Sequence, residues 1–207
     1  MVSAGDVETF ERCMAVAGVA VFPADTVYGL ACRPDSREAV RRLYGLKGRA
    51  PEQAAAVMFF SLELALAALP ELGPRTRGAL ERLLPGGVTL LLGNPGARYP
   101  LACGRDPATL GLRVPALAGA LAPLGAVRWP VLQSSANHHG EAAQRRLADV
   151  PAAIRAEADL LLDGGELPGT ASTVVDLRGY EQDGRWRLMR AGAVGEAVLA
   201  EALQPRW

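Results

Sequence analysis

The residues of this 207-residue chain that could do chemistry collect where apolar runs end. "VAVF" leads into "PADTVYG" with Asp25, Thr26 and Tyr28, and "LGLRV" carries Arg113. "PVLQ" runs into "SSAN" with Ser135 and Asn137, "STVVD" opens on Ser172 and Thr173, and "RLMR" ends at Arg190. Open α/β sheets bind ligands in crevices at strand ends, so polar groups placed there repeatedly imply one cleft. On that reading the Asp25–Tyr28 group faces the cleft while Val27 and Leu30 pack below it. A further segment, "RRLYGLKGR", holds Arg41, Arg42, Lys47 and Arg49 without an acid. Lys47 and Arg49 are expected just past a helix end, beside glycines that let an anion approach the backbone. A solvated helix face is the plainer reading of the same run.

Such a set suits phosphates and carboxylates better than it suits covalent catalysis. Cys32 has no neighbouring histidine, and "SSANHHG" lacks a third, orienting acid. His138 and His139 are expected in an exposed loop. There is no GxxxxGK[ST] or GxGxxG segment. Cys13, Cys32 and Cys103 are odd in number and widely spaced, and no Cys/His cluster suggests a protein-held metal. What remains is catalysis by positioning and charge stabilisation. One compositional fact singles out a residue. Of 22 basic side chains, Lys47 is the only lysine, and a compact ammonium can do things a planar guanidinium cannot.

Mixed helical and strand periods must supply the scaffold. "DVETFERCMAVAG" reads as a helix with Asp6 as N-cap. "DSREAVRRLYGL" reads as another, with Asp35 and Glu38 at capping-box spacing and Val40, Leu43 and Tyr44 on one face. Ser61 caps "LELALAAL", "PRTRGALERLL" is helical, and "PALAGALAPL" carries proline in a first helical turn. "ADVPAAIRAEA" and "GEAVLAEAL" are further helices. "VAVF", "AAAVMFF", "VTLLL", "LGLRV", "DLLLDGG", "STVVDL" and "RWRLMR" read as strands, with "YEQDGRW" a hairpin turn between the last two. The result is an α/β (α+β type) layered domain with a mixed sheet. No internal repeat or composition shift marks a second domain, so residues 1–207 are expected to form one.

Charge and hydropathy narrow the partners. Twenty-two acidic residues balance the 22 basic ones, so no global field draws the chain to nucleic acid or membrane. No apolar run reaches the roughly 18 residues of a membrane helix, and the N-terminus lacks a leader's apolar core. A reducing, cytoplasmic location is expected.

Seven segments in order make a resemblance: "PADTVYGL", "LKGR", "PGGVTLLL", "GLRVP", "SSAN" with Gly140, "STVVD" and "RAGAV". From about residue 8 to residue 198 the chain resembles the Sua5/YrdC/YciO family in its short form. The resemblance implies a twisted mixed sheet with flanking helices and a concave, basic cleft. It implies an enzyme joining ATP, L-threonine and bicarbonate into threonylcarbamoyl-AMP, with Mg²⁺ screening the phosphates. A separate transferase would move the product to tRNA, and direct tRNA contact or double-stranded RNA binding is an associated expectation. Carried onto this chain, Lys47 and Arg49 are catalytic and hold ATP phosphates, with Ser135, Asn137 and Arg190 completing the nucleotide site. Thr26, Tyr28, Arg113 and Ser172 would face the amino acid, Arg113 pairing its carboxylate.

The chain departs from the family pattern at Ala24, where a threonine is usual, and at Ala50, Ala54 and Ala55, where prolines and leucine are usual. Met58 stands near a position where some members have histidine, Gly87 replaces a proline, and Ala143 replaces a serine. Two other readings therefore stay open. One is a divergent paralogue acting on another amine, and the other is a non-catalytic RNA-binding module.

Overall fold

The computed structural model describes residues 1–204; the last three residues of the expected 1–207 domain lie outside the described residues. Val7, Phe10, Cys13 and Met14 recur at helical spacing and form the buried stripe of α1 (Ala4–Ala15). Its N-cap is Ser3, not Asp6. The Ser3 hydroxyl accepts from the Asp6 N–H at 3.2 Å, and the Asp6 carboxylate accepts from the Ser3 N–H at 2.8 Å. This reciprocal box satisfies two helix-end donors and starts the helix earlier than expected.

In α2 (Arg37–Lys47) the cap is likewise a serine, Ser36, whose hydroxyl accepts from the Ala39 N–H at 3.3 Å. Asp35 does not cap because its carboxylate is paired with Arg33 at 2.5 Å. The helix closes on Gly48, which is left-handed with φ 60°. Lys47 is thus its last residue rather than a loop residue. It continues the buried stripe of Val40, Leu43 and Tyr44.

Among the described residues nine strands form one sheet: β1 (Ala20–Pro23), β2 (Tyr28–Cys32), β3 (Ala56–Met58), β4 (Val88–Gly93), β5 (Thr109–Arg113), β6 (Val131–Ser135), β7 (Leu160–Leu161), β8 (Thr173–Asp176) and β9 (Arg187–Arg190). Their order is β7-β1-β2-β6-β3-β5-β4-β8-β9. The pairs β1–β7, β3–β5 and β4–β8 are parallel and the others antiparallel, as the expected mixed sheet requires. Strand β2 was not anticipated. Residues 24–27 turn the chain from β1 into it, with the Ala24 N–H donating to the Val27 carbonyl at 3.3 Å.

Helices α3 (Leu62–Ala68, capped by Ser61), α4 (Pro74–Leu83), α5 (Ala152–Glu157), α6 (Tyr180–Asp183) and α7 (Glu196–Ala202) complete the α/β architecture. The expected helix at 115–124 is instead a 3₁₀ segment, Gly119–Ala126. Pro123 removes a donor inside it, and Gly119 and Gly125 weaken any α-helical alternative. The 180–186 connection is one helical turn closed by left-handed Gly184, not a tight hairpin turn, although β8 and β9 do pair antiparallel.

Strand alternation splits the sheet into two faces. Leu90 and Leu92 of β4 and Leu110 and Leu112 of β5 point into the core. Phe10, Phe22 and Phe60 also belong to that core, with ring centroids 5.5 to 6.3 Å apart in tilted or edge contacts. The intervening residues turn the other way. Among the described residues no helix is long and apolar enough to cross a membrane, and the three cysteines are unpaired and buried.

Candidate functional site

The residues that alternate away from the core floor a cavity of about 490 Å³. They are Thr89 and Leu91 of β4, Thr109, Gly111 and Arg113 of β5, Gln133 and Ser135 of β6, and Val174 of β8. The floor is apolar or weakly polar at its centre. The positive charge of Lys47, Arg49, Arg113 and Arg190 stands around it, against one lining carboxylate, Glu141. A chain of zero net charge has concentrated four cations on one wall system. Water excluded from such a hollow strengthens the attraction for phosphate or carboxylate.

Lys47 is only 3 % exposed. Its ammonium donates to the Ser135 carbonyl, to the Asn137 carbonyl at 2.7 Å and to the Asn137 side-chain oxygen at 3.2 Å. Three protons meet three oxygens. The Asn137 amide group in turn donates to the Glu141 carbonyl at 2.7 Å, and the His139 N–H donates to the Lys47 carbonyl at 2.8 Å. The end of α2 and the turn after β6 are therefore one unit. Burial, with Arg49 beside it, pushes the Lys47 ammonium down to about 8 from an ordinary 10.5.

Arg49 donates to the Ser134 hydroxyl at 3.0 Å and to the Ala54 carbonyl, and its guanidinium sits 5.6 Å from the Tyr44 ring centre. Its Nε is buried without a partner. Across the cavity Arg190 donates to the Ser172 carbonyl at 2.7 Å, and the Ser172 hydroxyl is 2.8 Å from that of Thr89. His139, expected in an exposed loop, is exposed but stands on the cavity rim, within 3.4 Å of the Gln53 amide.

The opening polar trio divides. Arg113, 2 % exposed, reaches the cavity and is paired with Asp25 at 2.6 Å, with the Thr26 hydroxyl 3.4 Å away. Thr26 stands behind Arg113 and is not on the cavity wall; Val27, expected beneath the site, is. Tyr28 does not face the cavity at all. Its hydroxyl lies 2.9 Å from the Asp163 carboxylate and 2.8 Å from the Gly165 carbonyl, and accepts from the Gly164 N–H at 3.0 Å. Burial pushes it up to about 12. Strand alternation explains the split: β2 turns Tyr28 away from the side that Val27 lines.

Of the nine site residues expected from sequence, Lys47, Arg49, Arg113, Ser135, Asn137, Ser172 and Arg190 share this cavity. Gln133, Thr89, Thr109 and Gly111 were not anticipated. Their signal was the period of two along β4, β5 and β6, which places Thr89 with Leu91 and Thr109 with Gly111 and Arg113. Ala24 and Met58, both departures from the family pattern, are fully buried off the wall, whereas Ala54, Ala55 and Ala143 line it. Among the described residues no cluster of three His, Cys, Asp or Glu side chains could hold a metal.

The family described as Telomere recombination (Sua5, YciO, YrdC) matches residues 13–192 of this sequence. The chain belongs to the Sua5/YciO/YrdC family. Over 165 residues it is 35% identical to a Chromohalobacter salexigens protein named threonylcarbamoyl-AMP synthase, covering 77% of this chain and 86% of that one. A Homo sapiens protein of the same name is 29% identical over 195 residues, 88% of this chain and 65% of the other. The structure of P. abyssi Sua5 complexed with L-threonine superposes with a TM-score of 0.82 at 22% identity, over 99% of this chain and 59% of that one. E. coli YciO superposes at 0.78 with 21% identity, over 96% and 95%. These structures share the family fold with this chain, which spans about three-fifths of the length of Sua5.

Proposed function

We infer that this Sua5/YciO/YrdC-family protein is a threonylcarbamoyl-AMP synthase, a nucleotidyltransferase using ATP, L-threonine and bicarbonate. The observation that carries this reading is the meeting of Lys47, the Ser135–Asn137 turn, Arg113 and Arg190 around one cavity, although more than 140 residues separate the first from the last. The reaction needs this kind of site. The threonine nitrogen bonds to the bicarbonate carbon with loss of water, giving a carbamate. A carbamate oxygen then bonds to the α-phosphorus as the bond from that phosphorus to the β-phosphate oxygen breaks, releasing pyrophosphate. Two anions must meet and no protein nucleophile is required, so cations and fixed dipoles do the work.

Arg49 and Arg190 would take triphosphate oxygens, with Ser135 and Asn137 beside them. Lys47 adds charge and holds that turn rigid. Arg113, with Ser172 near it, suits the threonine carboxylate, because a guanidinium matches a carboxylate fork. The apolar floor around Leu91, Gly111 and Val174 would take the adenosine. Mg²⁺ would arrive bound to the triphosphate, since hard oxygen ligands come from ATP and Glu141 is the single carboxylate on the wall. The adenylate then passes to a separate threonylcarbamoyl transferase acting on tRNA, and the buried unpaired cysteines suit a reducing cytoplasm.

Pyrophosphate release by purified protein tests this. With Mg²⁺-ATP, release is expected only when threonine and bicarbonate are both present. Release that ignores omission of threonine, or none under the full mixture, contradicts it.

A further inference from the structure

Asp25 does not line the cavity, yet it fixes what Arg113 can offer there. Its two carboxylate oxygens have separate tasks. Oδ1 accepts from Arg113 Nη2 at 2.6 Å, and Oδ2 accepts from the backbone N–H of Ala116 at 3.1 Å. Both side chains are almost wholly buried, 3 % exposed for Arg113 and 6 % for Asp25. Among the described residues the protein supplies partners for Nη2 alone, while Nε is buried with none. Arginine has five donors in a rigid fork, so holding one nitrogen sets the direction of the rest. Asp25 also ties the β1–β2 turn to the segment after β5.

We propose that Asp25 is the positioning residue for amino-acid carboxylate recognition, orienting the Arg113 guanidinium so that Nη1, accessible and without a protein partner, faces an incoming carboxylate. This rests on the synthase reading above and deepens it. A buried arginine without its acid would swing toward other oxygens or lose its fixed orientation, since an uncompensated buried charge is unfavourable. A carboxylate offered to a misaligned guanidinium loses its charge-assisted hydrogen bond from Nη1. Binding of ATP, which rests on Arg49 and Arg190 rather than on Arg113, should be little affected.

The test compares L-threonine with its methyl ester, which lacks the carboxylate charge, in pyrophosphate release by the full-length protein. The natural protein is expected to favour threonine over the ester by about 100-fold in kcat/KM. Asp25→Asn should raise the threonine KM about tenfold or more and bring that preference within about fivefold, while the ATP KM stays within about twofold. Asp25→Glu, which restores the charge, should recover part of the preference. It also carries the test should Asp25→Asn not fold. An unchanged preference, equal rises in both KM values, or a natural protein indifferent to the ester overturns the proposal. A crystal structure of Asp25→Asn reads positioning without turnover: an unmoved Arg113 also overturns it. Absence of turnover with threonine in the natural protein sinks the synthase reading instead.

Discussion

Lys47 and Asn137, ninety residues apart, are joined by two contacts from one ammonium, at 2.7 Å to the backbone oxygen and 3.2 Å to the side-chain oxygen. The only lysine of the chain therefore serves the Ser135–Asn137 turn as well as the field of the cavity. A guanidinium cannot take its place, because a planar fork does not fit three oxygens converging on a point. Lys47→Arg and Lys47→Met are both expected to reduce pyrophosphate release at least about 100-fold. Hydrogen bonds to a charged group contribute about 1.5–3 kcal/mol, so Lys47→Met should also lower Tm by roughly 3–12 °C. Full activity in Lys47→Arg counts against the geometric account.

The same lysine gives a pH signature. Its folded value, about 8, lies below the ordinary 10.5, so between these the unfolded chain holds a proton that the fold has released. Stability from this group therefore rises with pH across that window, and the penalty of charging it in the fold is fully present below about pH 8. The difference in urea midpoint between the natural protein and Lys47→Met should change between pH 8 and pH 10 in favour of the natural protein. A constant difference contradicts the shifted ammonium.

Tyr28 is expected to matter for stability and not for substrate. Tyr28→Phe leaves the Gly164 N–H and the Gly165 carbonyl without the phenol, at a cost of about 1–3 kcal/mol. Thermal unfolding should show the loss, and the KM values for ATP and threonine should not move. A threonine KM raised severalfold with Tm intact would return Tyr28 to the site.

Gly111 lies in the floor among small residues, and a Cβ there would stand 3.3 Å from the Ala55 carbonyl oxygen and 3.4 Å from the Ala56 Cα. Gly111→Leu fills the floor and is expected to abolish ATP binding measured by calorimetry. Retained nucleotide affinity means the adenosine lies elsewhere.

Arg190 holds the far wall through Ser172, and its side chain is the cavity cation furthest along the chain from Lys47. Arg190→Ala is expected to raise the ATP KM by about tenfold, the loss of one charge-assisted contact, with little change in Tm. An unchanged ATP KM would remove it from the phosphate site.

Much of this was legible in the sequence because strand-end chemistry survives in single motifs. "SSAN", "LKGR" and Arg190 each carry their polar groups beside a recognisable apolar run. What escaped was decided by tertiary partners. Asp35 lost its capping role to Ser36 because Arg33 claims its carboxylate. Lys47 looked like a loop residue because a charged side chain on a buried helical stripe is rare; only the turn after β6 supplies the oxygens that satisfy it. Strand β2 hid behind Gly29 and the polar turn before it, and with it the alternation that separates Val27 from Tyr28. The pairing of Asp25 with Arg113 joins positions 88 residues apart, and nothing local to either one announces it.

The central claim is that these gathered side chains couple threonine, bicarbonate and ATP in one cavity. Mass spectrometry of products formed from Mg²⁺-ATP, L-threonine and ¹³C-bicarbonate tests it most directly. The account predicts an adenylate heavier by one carbon label, strongly diminished in Lys47→Met and, at limiting ATP, in Arg190→Ala. An unlabelled adenylate, or labelled product undiminished in both variants, contradicts it.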